Sequence, residues 1–382
     1  MNWKRWFSIF VCAAMLCGQA SALPEMGGIK SKSAVLYAAD GTALYGYHED
    51  EQLQPASVTK IMTMLLTMEA IDSGKLKFTD LVTGSAYAAS MGGTQIWLKE
   101  GEQLTVDEML KAIAVGSAND CAVAMAEHLA GSEEVFVEMM NTRAKEIGCT
   151  GTTFVNANGL DTGGKKTLTT AHDLALISVE LLKHPKIIDY TSIWMDTIRN
   201  GQFGLANTNK MLKKYDGMIG LKTGYISEAG FCISAAAERE GLRLIAVVMA
   251  APDKDARTAD VSQLLNYGFA NFAAYTPDIS AACADLPVVL GTEESVPVVC
   301  AAPDSITIEK ERIEGITMSY ERPEQINAPV TMGEQIGTAR VIDEQGEVLR
   351  EIALCAGADV ERQNFWDVLG SFCRAATNGN AL

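Results

Sequence analysis

The stretch from Ser57 to Ile71, SVTKIMTMLLTMEAI, is apolar on almost every side of a helix. A surface helix carries a single apolar stripe, whereas a helix that is apolar all round lies inside a core. Other elements must therefore cover this helix from several sides. At 382 residues the chain is long enough to form one large domain plus a smaller one. The sequence thus predicts a globular protein built around this buried helix.

Elements that could cover the helix are readable on both sides of it. Thr105 and Glu108 have the spacing of a capping box and predict the start of another helix. The sequence also predicts a hairpin at Ser33–Tyr47, helices at Asp120–Leu129 and Ser132–Ile147, and paired strands at Phe231–Ala237 and Leu242–Ala250. The order strand, helices, strand predicts an α+β domain over residues 23–275, with helices packed on an antiparallel sheet.

The pattern changes after Tyr275. Short Val- and Ile-rich runs separated by prolines predict a small all-β domain over residues 276–357. In the last segment, 358–382, apolar residues recur at helical spacing: Phe365, Trp366, Leu369, Phe372 and Cys373. This amphipathic segment could lie on a membrane surface as an anchor, or pack on its own domain, and both interpretations stay open.

The first 22 residues have the form of a secretory signal. Lys4 and Arg5 precede an apolar run, and Ala20-Ser21-Ala22 is a small-x-small cleavage site. The run is too short to span a bilayer comfortably, so we expect export with cleavage before Leu23. Removing the two cations changes the formal net charge from -17 to -19. A nucleic-acid partner is therefore not expected, since it would require concentrated Lys and Arg.

The cysteines and histidines show no metal-binding spacing. Of nine cysteines, two leave with the signal and seven remain, with no CxxC pair: Cys121, Cys149, Cys232, Cys283, Cys300, Cys355 and Cys373. An odd number argues against a complete disulfide framework, so some thiols are free or pair between chains. The four histidines have no HExxH-like spacing. The sequence predicts neither a metal site nor a cofactor.

Ser57 and Lys60 give the first chemical signal. They lie one turn apart at the start of the buried helix, so the hydroxyl can face the amine. Serine needs a neighbouring base to become a nucleophile, and a desolvated lysine can serve as one. The helix N-terminus adds positive charge where an oxyanion would form. Taken alone, S-x-x-K is expected about once by chance in a chain of this size.

Two further motifs are weak when each is considered alone. Gly116-Ser117-Ala118-Asn119 lies between two predicted helices and could point polar side chains into a cleft, or Asn119 could simply cap the next helix. Lys222-Thr223-Gly224 opens a predicted edge strand. There the cation and the hydroxyl could hold a substrate carboxylate, and Gly224 would let a ligand backbone approach closely. The alternative is that Lys222 and Thr223 lie on the surface without a role in binding.

Together, S-x-x-K, S-x-N and K-T-G in this order resemble the signature of penicillin-binding proteins and serine β-lactamases. The text PASVTKIMT, the run GGTQIWLKEGEQLTVDEMLKAIAVGSANDCAVAMAE, NGLD and GLKTGY are similar to the low-molecular-weight D-alanyl-D-alanine carboxypeptidases. The resemblance covers roughly residues 32–269. It implies a penicillin-binding-protein-like transpeptidase fold, and the β-rich tail and C-terminal helix also suit that family.

The resemblance implies a role for each motif residue. Ser57 would be acylated by the penultimate D-alanine of a peptidoglycan stem peptide, with Lys60 as the base and Ser117 relaying a proton. Asn119 would bind the peptide amide. Ser117, with Lys222, would also set the electrostatics of the site. Thr223 would hold the terminal carboxylate, with Gly224 beside it, and Arg257 would lie near that carboxylate. The alternative for Arg257 is a salt bridge on the protein surface. β-Lactam antibiotics would acylate the same serine.

Two positions depart from the family pattern, and two other functions compete. Ala118 stands where many members have glycine, and Ile226 stands where threonine is frequent, which could weaken deacylation.

A β-lactamase-like hydrolase of class A would need a glutamate in an E-x-x-L-N pattern between Asn119 and Lys222, and the sequence has none there. A non-hydrolytic cell-wall-binding scaffold is the other alternative. The resemblance implies an exported enzyme on the outer face of the bacterial cytoplasmic membrane.

Overall fold

The structure, a computed structural model, describes residues 26–161, 163–300 and 305–370. The expected signal segment 1–22 and Phe372 and Cys373 lie outside these residues. We call residues up to 275 the N-terminal region and the later ones the C-terminal region. No helix within the described ranges has the length and apolar character needed to cross a membrane.

The N-terminal region combines helices with one large sheet. Its α-helices are α1 Lys60–Asp72, α2 Ala86–Ala89, α3 Val106–Lys111, α4 Asn119–Ala130, α5 Glu133–Ile147, α6 Ala171–Leu182, α7 Ile188–Thr191 and α8 Lys254–Asn271. Its strands are β1 Ser33–Ala38, β2 Ala43–Tyr47, β3 Leu81–Thr83, β4 Gln103–Thr105, β5 Met195–Ile198, β6 Phe203–Ala206, β7 Met218–Ile226, β8 Gly230–Arg239, β9 Leu242–Ala251 and β10 Phe272–Tyr275.

The central sheet is antiparallel and has the strand order β2-β1-β9-β8-β7. Alternate residues of β1 serve the two faces, as strand geometry requires. Val35 and Tyr37 join the core that contains α1, whereas Leu36 joins a second core on the other face. Helix α6 packs on the first face and α8 on the second. The predicted α+β class with helices on an antiparallel sheet is confirmed.

Helix α1 lies at the centre of the first core, as its composition predicted. Its residues from Lys60 to Met68 are buried, and it packs against α4 and α6. The helix differs from the prediction in one respect. Ser57 is in a 3-10 turn, Ala56–Thr59, and α-helical geometry begins only at Lys60.

Local sequence signals placed several other boundaries correctly. Thr105 and Glu108 form the reciprocal capping box at α3. Gly148 ends α5 in the left-handed conformation, with a φ of 97°, which glycine adopts without steric cost. The hairpin β1–β2 and the strand pair β8–β9 also lie where the pattern placed them.

The C-terminal region is built from short strands around its own core. The strands are β11 Leu286–Val289, β12 Ser295–Val296, β13 Val298–Cys300, β14 Ile306–Glu309, β15 Thr317–Glu321, β16 Ile326–Asn327, β17 Gln335–Ile342 and β18 Val348–Ala356. They form a sheet β13-β18-β17-β15 and a smaller one β12-β11-β16. Strand β14 pairs with β10 of the N-terminal region, and a 3-10 segment, Lys310–Gly315, follows it. The predicted all-β character is confirmed.

Candidate active site

Ser57 lies where α1 approaches the edge strand β7. The turn that carries it begins at Ala56, whose φ of 49° is unusual for a residue with a side chain. Ser57 is half-buried and lines a cavity of about 590 Å³. Its hydroxyl therefore reaches open space, while Val58 and Thr59 beside it are buried.

Lys60 meets Ser57 from inside the protein. Its ammonium lies 2.9 Å from Ser57 Oγ, 2.6 Å from Asn119 Oδ1 and 2.9 Å from the Asn158 carbonyl oxygen. The residue is fully buried, and none of these partners is a carboxylate. Burial, followed by the charge of nearby Lys222, holds the pKa of Lys60 well below its ordinary value. Such an amine can lose its proton and accept one from the serine hydroxyl.

Ser117 and Asn119 lie between α3 and α4, where a single π-type turn ends at Gly116. Ser117 has left-handed geometry, with φ 63° and ψ 31°, is 5% exposed, and lines the cavity. A side-chain-bearing residue in this conformation costs about 1–3 kcal/mol and is found most often at functional sites.

Asn119 does not cap helix α4. The helix N-cap is Ala118, and Asn119 is the first helical residue. Its Oδ1 accepts the hydrogen bond from Lys60, while its Nδ2 donates to the Gly92 carbonyl oxygen at 2.8 Å. The capping alternative is therefore wrong, and Asn119 joins Lys60 to the loop at Gly92.

Lys222 and Thr223 lie in the middle of β7, which begins four residues before Lys222. The motif was expected to open the strand. The strand is at the sheet edge, as predicted, and Thr223 Oγ1 donates to Thr208 Oγ1 at 2.8 Å. Lys222 is 1% exposed and its Nζ donates to the Thr223 carbonyl oxygen at 3.0 Å. Burial and then the charge of Arg257 lower the pKa of Lys222 to about 7.

Gly224 serves a contact within the protein itself. A Cβ at this position would lie 2.4 Å from the Pro55 carbonyl oxygen and 3.0 Å from the Val58 backbone nitrogen. Only glycine therefore lets β7 approach the turn that carries Ser57. From the sequence, we expected the space beside Gly224 to admit the backbone of a ligand. In the structure, the turn that carries Ser57 fills that space.

Arg257 lies in the first turn of α8 and reaches the same cavity. It is only 8% exposed, and Nη1 donates to the Cys232 carbonyl oxygen at 3.5 Å. Its Nε atom is buried without a hydrogen-bond partner among the described residues. The surface salt-bridge alternative is wrong, because the guanidinium is buried and forms no ion pair within the described ranges.

Several residues in or beside the cavity were not given a role by the sequence analysis. Asn158, which contributes its carbonyl to Lys60, lies in the NGLD text, but the sequence gave it no role. Thr208, Lys210 and Lys254 line the cavity and belong to no motif. Among the described residues that line the cavity, three are cations and none is Asp or Glu. This arrangement suits acyl transfer from a substrate that carries a carboxylate.

The comparisons with known proteins agree with this geometry. A family model described as D-alanyl-D-alanine carboxypeptidase matches residues 19–253, and one described as the C-terminal domain of penicillin-binding protein 5 matches residues 280–362. The D-alanyl-D-alanine carboxypeptidase DacF of Bacillus subtilis is 47% identical over 250 residues, which cover 64% of this chain and 64% of DacF. The match thus spans less than two thirds of that relative's length.

Two groups of solved structures share the fold. Penicillin-binding protein 5 from Haemophilus influenzae has a TM-score of 0.71 at 28% identity, covering 88% of this chain and 99% of that one. Penicillin-binding protein D2 from Listeria monocytogenes, in its ampicillin-bound form, has a TM-score of 0.58 at 33% identity, covering 63% and 98%. With the family model matching more than half of its length, this chain belongs to the D-alanyl-D-alanine carboxypeptidase family of serine peptidases.

Proposed function

We propose that the protein is an exported serine-type D-alanyl-D-alanine carboxypeptidase that trims peptidoglycan stem peptides through an acyl-enzyme at Ser57. The observation that carries this proposal is the 2.9 Å contact between Ser57 Oγ and the fully buried Lys60 ammonium. Burying a lysine ammonium that has no carboxylate partner destabilises the fold, because burying a charge is costly. A role as the catalytic base explains why the lysine is nevertheless buried there.

The chemistry follows from the positions of the side chains. Ser57 Oγ attacks the carbonyl carbon of the penultimate D-alanine, and Lys60 Nζ takes the hydroxyl proton. Ser117, which lines the same cavity, relays a proton to the departing D-alanine amine. The backbone N–H groups of Ser57 and Tyr225 receive the oxyanion. Water then cleaves the ester and releases the shortened peptide.

Substrate binding is assigned to the cationic side of the cavity. Lys222, Thr223 and Arg257 hold the terminal carboxylate, and Asn119 binds the peptide amide. Lys210, Lys254 and Arg257 line the cavity, and none of its described lining residues is acidic, which supports binding of an anionic end group. β-Lactam antibiotics carry a comparable carboxylate and would acylate Ser57. The ampicillin-bound form of the Listeria relative supports this expectation.

The decisive test measures D-alanine released from a peptide ending in D-Ala-D-Ala. The protein is expected to release D-alanine and to bind labelled penicillin covalently, whereas Ser57→Ala should do neither. Ser73→Ala, which changes an exposed serine at the end of α1, is the control and should match the parent. Penicillin labelling without D-alanine release would favour the scaffold alternative, and labelling of Ser57→Ala would overturn the nucleophile.

We further propose that residues 358–382 attach the exported protein to the outer face of the cytoplasmic membrane. Residues 365–370 are helical, and Phe365 and Trp366 are 72% and 74% exposed. Large exposed aromatic side chains favour a membrane interface. Truncation before Asp359 should move the protein from the membrane fraction to the soluble fraction, as should replacing both aromatic residues with serine. Unchanged partitioning would remove this proposal.

We also propose that the chain is divided into four segments. They are a signal peptide at 1–22, a catalytic domain at 23–275, a β domain at 276–357 and a tail at 358–382. Separate hydrophobic cores before and after Tyr275 support the central division. The pairing of Val330 with Val360 shows that ordered contacts of the β domain extend slightly into the tail. Limited proteolysis that cuts near residue 276 while sparing both cores would support the division.

A further inference from the structure

The six cysteines that the structure describes form two groups. Cys121, Cys149 and Cys232 are buried in the N-terminal region, whereas Cys283, Cys300 and Cys355 are half-buried in the C-terminal region. Burial raises the pKa of Cys149 to about 12 and the pKa values of Cys232 and Cys300 to about 11. The two groups therefore differ in access rather than in pKa, and thiols that solvent cannot reach react slowly. Thiol chemistry in this chain is therefore to be sought in the C-terminal group.

Cys283 and Cys300 point at each other. Their Sγ atoms lie 3.5 Å apart, although 17 positions separate the residues in the chain. Cys300 ends β13, and Cys283 lies in the turn before β11. Both side chains pack against the core of the C-terminal region. Forming a disulfide would require the two sulfur atoms to approach by about 1.5 Å, because the bond length is about 2.05 Å.

The backbone on both sides of this pair is held in place. The Cys283 N–H donates to the carbonyl oxygens of Ile279 at 3.2 Å and Ser280 at 3.3 Å. Arg322 Nη1 donates to the flanking carbonyl oxygens of Ala282 and Ala284, at 3.0 and 2.6 Å. Strand β13 is fixed by its pairing with β18. The proximity of the thiols thus follows from two anchored segments.

The third cysteine of this group is on the other face of the sheet. Cys355 stands opposite Val299 in the β13–β18 register, while Cys300 stands opposite Leu354. Because successive residues of a strand face opposite sides, Cys355 points away from Cys300. Within the described residues, no group of three or more His, Cys, Asp or Glu could hold a metal ion. The geometry therefore favours a pair of thiols over a trio or a metal site.

We infer that Cys283 and Cys300 form an intrachain disulfide when the exported protein meets a small disulfide oxidant such as oxidised glutathione. One thiolate attacks the oxidant disulfide and expels one thiol, giving a mixed disulfide. The second thiolate then attacks the protein sulfur and expels the other thiol. Two electrons pass from the cysteine pair to the oxidant, and the two protons end on the two released thiols.

This bond would tie the turn at Ile279–Cys283 to strand β13. It would constrain the unfolded chain and so stabilise the C-terminal region, which suits a compartment where disulfides persist. The bond lies in the C-terminal region, outside the cavity at Ser57, so the inference does not depend on catalysis there. Penicillin labelling of Ser57 should be the same in the reduced and oxidised protein.

The test counts thiols in the purified exported chain. One sample is reduced with dithiothreitol, and another is then treated with oxidised glutathione. Both are unfolded, alkylated and weighed by mass spectrometry. In the oxidised sample Cys283 and Cys300 should both lose their alkyl groups without gaining glutathione, and the digest should contain one linked pair of peptides that holds them. Cys355→Ser should keep this result, whereas Cys283→Ser should lose it and take up glutathione at Cys300.

A stability measurement gives a second readout. Oxidation should raise the midpoint of thermal unfolding of the C-terminal region in the parent and in Cys355→Ser, and leave Cys283→Ser unchanged. Equal alkyl counts in the reduced and oxidised parent would overturn the inference, as would a link through Cys355. Should Cys283→Ser fail to fold, the linked peptides of the parent and Cys355→Ser still decide the matter.

Discussion

The described parts of the two regions differ in whether they bury a charged side chain that is not paired with an opposite charge. The N-terminal region buries Lys60 and Lys222 at 0% and 1% exposure, and no described carboxylate is paired with either ammonium. In the described part of the C-terminal region, Asp343 is the only polar side chain that is equally hidden. It is paired with Arg312 and accepts the backbone N–H groups of Gln345 and Glu347.

The difference separates two uses of burial. Asp343 is compensated and organises a turn, which is what fold stability requires of a buried charge. The two lysines donate hydrogen bonds but are not paired with an opposite charge among the described residues, and the cost of burying them is reflected in their lowered pKa values. Perturbed pKa values of this kind concentrate at functional sites. We therefore expect chemistry at the buried lysines of the N-terminal region, and the described part of the C-terminal region has no comparable pair.

The sharpest way to break this comparison is Lys60→Met. We expect acylation by labelled penicillin to slow by about 10²–10⁴-fold, because the serine loses its base. Thermal unfolding of the C-terminal region should not change. Lys75→Met removes an exposed lysine just after α1 and should acylate at the parental rate. A Lys60→Met protein that acylates normally would show that the buried ammonium is structural.

The reciprocal change is Leu354→Ala in the C-terminal region. Leu354 is fully buried in β18, so the truncation should destabilise this region by about 2–5 kcal/mol. Penicillin acylation of Ser57 should keep its rate at temperatures where the variant is folded. Val299→Ala, on the neighbouring strand and 46% exposed, should have little effect on either quantity. A parallel loss of acylation in Leu354→Ala would mean that the two regions are energetically coupled.

The elements were more predictable from sequence than the contacts between them. The buried α1, the capping box at Thr105 and the hairpin β1–β2 follow from periodicity and local hydrogen bonding, which short stretches encode. The left-handed Ser117, the Asn158 carbonyl beside Lys60 and the burial of Arg257 depend on segments far apart in the chain. No local pattern encodes such contacts. The sequence therefore identified the candidate site residues more completely than the contacts between them.

Gly224→Ala tests one of these long-range contacts. The new Cβ would meet the Pro55 carbonyl oxygen, so β7 and the Ser57 turn must move apart. Displacement of about 1 Å at a catalytic group can cost up to about 10²-fold in rate, and we expect an acylation loss of that order or less. Gly204→Ala places a Cβ in open space on β6 and serves as the control. Equal rates in the two variants would contradict the packing role of Gly224.

The smallest expected effect is a shift of the pH profile in Arg257→Met. Acylation should rise with pH as Lys60 loses its proton, which its lowered pKa allows below the ordinary lysine range. A second, alkaline limb should appear at higher pH, because Lys222, whose pKa is lowered to about 7, then loses the charge that we propose holds the penicillin carboxylate. Removing the Arg257 charge relieves its repulsion of Lys222, raises the pKa of Lys222, and moves this alkaline limb to higher pH.

The position of the limb, rather than the absolute rate, separates this electrostatic effect from lost binding. Arg257→Lys retains the positive charge and should keep the limb where the parent has it, even when affinity falls. Arg340→Met removes a guanidinium from the C-terminal region, where it is paired with Glu321 and Glu351, and should leave the whole profile unchanged. An alkaline limb that stays in place in Arg257→Met would show that burial alone sets the pKa of Lys222. The uncompensated charges of the N-terminal region would then act independently, and not as a coupled set.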